Sequence, residues 1–85
     1  MSQQSAAAIR VGLRLTGWSI TDLWVAAAGI GGDLSHRAVD DIAAGWQPAT
    51  SVQHDILATA LNEHLLDRGQ SYPVGYWHDL PPDQG

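Results

Sequence analysis

Apolar residues recur along most of this chain at the three- and four-residue intervals of a helix. Ile20, Leu23, Trp24 and Ala27 form the clearest stripe, one face that predicts a core-facing helix. Ser19 stands just before it as an N-cap, and Asp22, three residues on, suits the positive end of the helix dipole. Gly29, Gly31 and Gly32 end that helix. A second, shorter helix begins near Asp33 or Ser35, with Ala38 or Val39 and then Ile42 on its buried side. His36, Arg37, Asp40 and Asp41 make its outer side, Gly45 is the natural C-cap, and Pro48 prevents continuation. Thr50 and Gln53 match a capping box that opens a longer helix, with Val52, Ile56, Leu57, Ala60, Leu61 and Leu65 on one face and a stop at Gly69 after Arg68.

The N-terminal stretch is less decided. Ile9, Leu13 and Thr16 fit a helical face, whereas Ile9, Val11, Leu13 and Leu15 alternate as in a strand. The alanine run and the lack of a partner strand favour a helix from Ser5, preceded by a frayed polar start. The tail, QSYPVGYWHDLPPDQG, carries Tyr72, Tyr76, Trp77 and three of the prolines; it predicts a partly ordered arm that covers the core, ahead of forming a dimer contact or binding a different protein. The expectation is thus an all-α domain over residues 5–68 with its helix-turn-helix at about 19–45, followed by a C-terminal tail over 69–85.

Composition narrows the chemistry. An 85-residue chain buries about 60–65% of its unfolded surface, enough for one small core. There is no cysteine, so disulfides, thiolate metal sites and cysteine nucleophiles are excluded. The longest apolar run, Leu23–Ile30, is too short to cross a bilayer, and no signal peptide is visible. A cytoplasmic protein without membrane attachment is expected. Nine acids against four arginines and no lysine give a net charge of −5. With a Debye length of about 8 Å, a local basic face is still able to act while acids sit elsewhere.

Within this outline the motifs resemble those of Cro/Xre-type, lambda-repressor-like regulators. GWSITDLW is similar to the start of that family's helix-turn-helix. Val39, Ile42, Gly45 and Pro48 fall at the spacings that close its recognition helix, and LATALNEHL resembles the helix that follows. The similarity covers roughly Leu13 to Leu65. Two features depart from it: Ile20 stands where the family often has glutamine, and the turn GIGGDL is about four residues longer than usual.

The resemblance implies a compact four- to five-helix domain that binds double-stranded DNA in the major groove, as a homodimer on half-sites about 34 Å apart. Its recognition positions map onto Ser35, His36, Arg37, Asp40 and Asp41. Arg37 suits a bidentate bond to guanine, and Ser35 or His36 a base or phosphate. Thr50 and Ser51 sit at a helix N-terminus that favours phosphate, with Gln47 in the adjacent loop. Asp40 and Asp41 repel phosphates unless one accepts from a cytosine amino group. The expected function is a small sequence-specific transcriptional regulator, a repressor or accessory factor acting by site occupancy.

Other chemistry is weakly signalled. His36, His54, His64 and His78 show no ligand spacing, so neither a metal nor another cofactor is expected. No Ser–His–Asp arrangement, phosphate loop or carboxylate pair is assignable, which points to a non-enzymatic protein. Trp18, Trp24 and Trp46 are expected in or at the edge of the core, and Asp55, Glu63 and Asp67 on the polar side of the last helix. The alternative function is an acidic helix-turn-helix scaffold that binds another protein, as an inhibitor or antirepressor does, through the Tyr72–Trp77 tail.

Overall fold

Three side-chain caps fix where helices begin in this protein. In the computed structural model, which describes residues 4–70 and 73–80, the order is α1 (Gln4–Thr16), α2 (Ile20–Gly29), α3 (His36–Ala44), α4 (Ser51–Asp67) and a single 3₁₀ turn (Trp77–Asp79). The described residues are all-helical, with no strand among them. Of the expected frayed residues 1–4, residues 1–3 lie outside the described residues, as do Tyr72 and Pro81–Pro82, while Gln4 opens α1.

Ser19 and Thr50 each close a reciprocal capping box, with Asp22 and Gln53 returning a bond to the cap backbone. Ser35, rather than Asp33, caps α3 by accepting from the Ala38 amide at 3.0 Å. Each such cap satisfies an amide left orphaned by helix geometry, and its loss to alanine costs about 1 kcal/mol. The helical reading of the first segment holds: Ile9 and Thr16 are buried, while Val11 and Leu15, which a strand would have turned to the same side, are exposed.

The core is built from Ile9 of α1, Leu23 and Ala27 of α2, Val39, Ile42 and Ala43 of α3, and Leu57, Ala58, Leu61 and Leu65 of α4. α1 and α2 each pack against both α3 and α4, so the four helices close around one apolar centre. Gly12 seats α1 at close range. A β-carbon there would stand 2.7 Å from Leu61 and 2.8 Å from Val74, inside contact distance. Val74 itself is buried in this core, so the segment after α4 completes the fold.

Two apolar residues leave the expected pattern. Trp46 is 80% exposed, not packed in or at the edge of the core. Gly45 turns with φ 85° and the Trp46 and Gln47 amides fold back onto the Asp41 carbonyl, which throws the indole outward. Val52 is 66% exposed, because it lies with Asp55, Ile56, Thr59 and Glu63 along the outer edge of α4 and not with the buried His54, Leu57, Leu61 and Leu65. Trp18 and Trp24 are half-buried as expected, Trp18 stacked on His64 at 4.7 Å and Trp24 donating its indole N–H to the Leu34 carbonyl.

Candidate nucleic-acid interface

The link between α2 and α3, residues 30–35, sets how the candidate face is displayed. α2 ends in a Schellman arrangement: Gly31 has φ 92°, its amide bonds the Ala28 carbonyl, and the Gly32 amide bonds the Ala27 carbonyl at 2.9 Å. A β-carbon on Gly32 would meet that same carbonyl and Ile56 of α4, both at 2.9 Å, so only glycine allows the turn to lie this close to α4. The extra turn residues are therefore absorbed in a tight helix stop and a short extended run. α3 stays packed on α2, and Trp24 holds the far side of the turn through Leu34.

α3 is held by Val39, Ile42 and Ala43, while Ser35, His36, Arg37, Asp40 and Ala44 are exposed. The expected recognition residues thus share one outer face. Their individual situations differ. Arg37 has a side chain 91% exposed, and its Nε stands 3.7 Å from Asp41 Oδ2, one turn on. Asp41 is half-buried and Asp40 projects to solvent. His36 is bonded through Nε2 to Thr21 Oγ1 at 2.9 Å, and its ring meets the edge of Trp24 at 5.4 Å. It ties the start of α3 to α2 while remaining exposed. Ser35 is committed to its cap.

At the other end of α3 the chain presents Gln47, half-buried, and then Thr50 and Ser51, both exposed. The Thr50 hydroxyl accepts from Gln53 and so serves the helix rather than a ligand. The amides of Ser51 and Val52, like those of His36 and Arg37, have no acceptor among the described residues. These two helix starts therefore offer pairs of free N–H donors at the positive ends of their dipoles, an arrangement suited to phosphate oxygens.

The arginines are dispersed. Arg10 donates from Nη1 to the Ala43 carbonyl at 2.8 Å and so satisfies the C-terminal end of α3. Arg68 makes a longer bond, 3.4 Å, to the Leu15 carbonyl at the end of α1. Arg14 lies on the outer side of α1. On the α3 face Arg37 is the arginine in place.

A second cluster was not visible in the sequence. His54 is fully buried on α4, with Nδ1 2.7 Å from Ser5 Oγ and Nε2 2.8 Å from the Gly75 carbonyl. Because a carbonyl only accepts, Nε2 carries a hydrogen toward Gly75, and Nδ1 shares a hydrogen bond with the Ser5 hydroxyl. Asn62, also buried, bonds both the amide and the carbonyl of Val74, and Asp55 Oδ1 accepts from the Trp77 amide at 2.7 Å. Asp55 thus lies half-buried under the tail, not on a purely solvated helix side as expected. Trp77 lies edge-on to His54 at 6.0 Å. A serine hydrogen-bonded to a histidine invites a nucleophilic reading, but Ser5 is buried and the ring's second partner is a carbonyl. The cluster fastens α1, α4 and the tail together, and no substrate can reach the hydroxyl.

Among the described residues no group of three or more histidine, aspartate or glutamate side chains is placed to hold a metal ion, and no helix is long and apolar enough to cross a membrane. No family model, no curated protein and no solved structure matches this chain.

Proposed function

We propose that this protein is a small sequence-specific DNA-binding regulator of the lambda-repressor-like helix-turn-helix type, with α3 as the recognition helix. The observation that carries the reading is the display of α3: its inner residues seat it in the core, and its first turn offers Arg37 and two unpartnered amides to solvent. The parallel pair of amides at Ser51 and Val52 supplies a second phosphate seat. Arg37 is the direct reader, its fork matched to guanine O6 and N7. His36, Ser35 and Gln47 set register, and Thr50 and Ser51 position the backbone contact. On this reading the protein regulates by occupying its site, as a homodimer or as adjacent copies.

Binding to duplex fragments from around the protein's own gene, followed by fluorescence anisotropy across a salt series, tests this. Arg10 and Arg68 are engaged with backbone carbonyls. With one or two cationic contacts left per subunit, the log–log salt slope is expected near −1 to −2 per subunit. Absence of binding to every fragment at low salt would remove the DNA reading.

The Arg37–Asp41 pair gives a sharper test. Asp41 competes with DNA for the guanidinium and places a negative charge beside the phosphates. Asp41→Asn is therefore expected to raise DNA affinity about three- to fivefold, the scale of an exposed ion pair. Equal or weaker binding in the same titration would place Asp41 in a direct contact, such as a cytosine amino group, instead.

The rival reading, a protein-binding scaffold, draws its support from the net charge of −5 and the exposed Trp46 indole. A pull-down that survives nuclease treatment and is lost in Trp46→Ala would favour it.

A further inference from the structure

An open groove of about 350 Å³ runs along the outer edge of α4, lined by Ile30 from the end of α2 and by Val52, Asp55, Ile56, Thr59 and Glu63. Its composition is mixed in a particular way. Ile30 and Val52 are exposed apolar side chains, Ile56 is half-buried, and two carboxylates flank them. Asp55 commits one oxygen to the Trp77 amide, whereas Glu63 projects to solvent. The ion pairs among the described residues are Arg37–Asp41 and His78–Asp79, so neither groove carboxylate has a cation beside it. A complementary occupant carries a positive charge set among apolar side chains.

That pattern is present elsewhere on the same molecule. On α1, Val11 and Leu15 lie one turn apart and are both exposed, with Arg14 exposed beside them and paired with no acid among the described residues. Arg10, one turn before Arg14, shares the face but is tethered to the Ala43 carbonyl. None of Val11, Arg14 and Leu15 lines the groove, so the α1 face and the groove are made of different residues.

We propose that the groove receives α1 of a second copy of this chain, with Arg14 against Glu63 and with Val11 and Leu15 over Ile30, Val52 and Ile56. The two surfaces share no residue, so copies joined head to tail each present a fresh groove and assembly continues, whereas reciprocal docking would stop at a dimer. The contact is also small. Stable complexes bury about 1,200–2,000 Å², more than a groove with six lining residues supplies, so the association is weak and reversible. Nothing in it depends on DNA. If copies do sit side by side on DNA, the local concentration reaches the millimolar range and the same contact makes their binding cooperative.

Sedimentation equilibrium of the full chain without DNA, at concentrations up to about 1 mM, reads the proposal directly. The weight-average mass is expected to rise with concentration and pass that of a dimer without a plateau. Glu63→Arg and Arg14→Glu each replace an attraction by a repulsion and are expected to lower the association constant about tenfold. The double variant restores the pair in reversed sense and regains most of the wild-type association. A monomer throughout, a plateau at dimer, an effect of one single variant but not the other, or a double variant as weak as the singles would each overturn the proposal. Both side chains are exposed, so folding is expected to survive. Should a charge-reversed chain lose helicity, Leu15→Ser provides the same readout, with unchanged self-association counting against the contact.

Discussion

Asn62→Ala is expected to lower the unfolding free energy by about 2–6 kcal/mol. Asn62 is buried and uses both ends of its amide, donating to the Val74 carbonyl and accepting from the Val74 amide. Removing it leaves two buried backbone groups without partners, each costing about 1–3 kcal/mol. Val74 is part of the core, so the loss loosens the segment after α4 as well as α4 itself. Urea denaturation followed by tryptophan fluorescence measures the change. Asn62→Asp sharpens the result, since it keeps the acceptor for the Val74 amide but not the donor for its carbonyl. A loss below about 1 kcal/mol for Asn62→Ala would mean that water replaces the amide at this position.

Arg37→Ala is expected to act on recognition and leave stability alone. The side chain is 91% exposed and contributes only an exposed pair with Asp41, so the unfolding midpoint should not move measurably. Affinity for the preferred DNA sequence is expected to fall by about 1–3 kcal/mol, roughly 5- to 150-fold, while affinity for unrelated duplex falls far less. Comparing selected and random duplexes at one salt concentration separates the two. If both affinities fall alike, Arg37 holds phosphate and the sequence is read elsewhere.

The fold was legible where its determinants are local. Ser19 with Asp22 and Thr50 with Gln53 form their boxes across three residues, and the sequence shows both partners at once. The same holds for the glycine stop at 31–32 and for the buried stripe of Val39 and Ile42. His54 and Asn62 were opaque for the opposite reason. Their partners lie 49, 21 and 12 residues away, and are a hydroxyl or backbone groups that leave no residue-type signature. The His54 position at helical spacing before Leu57, Leu61 and Leu65, the buried stripe of α4, was the one available hint.

The candidate site was legible as a face and not as a set of contacts. Spacing places His36, Arg37 and Asp40 on the outer side of α3, as found. It does not reveal that His36 is bonded to Thr21, that Arg37 leans on Asp41, or that Arg10 serves the end of α3. Trp46 misled for a physical reason: the size of an indole favours burial, but the left-handed Gly45 reverses the chain before the indole can turn inward.

The way α3 is anchored bears on how this protein can diversify. Its inner side is held by three apolar residues and its start by the His36 bond to Thr21, whereas its outer positions 37, 40 and 44 add nothing to the core. Substitutions there are nearly independent of those that stabilise α4 and the tail, since distant sites without shared partners act additively. A lineage carrying this scaffold is therefore able to change what α3 touches while keeping its reserve of stability, and a randomised library at those three positions should retain a high fraction of folded members.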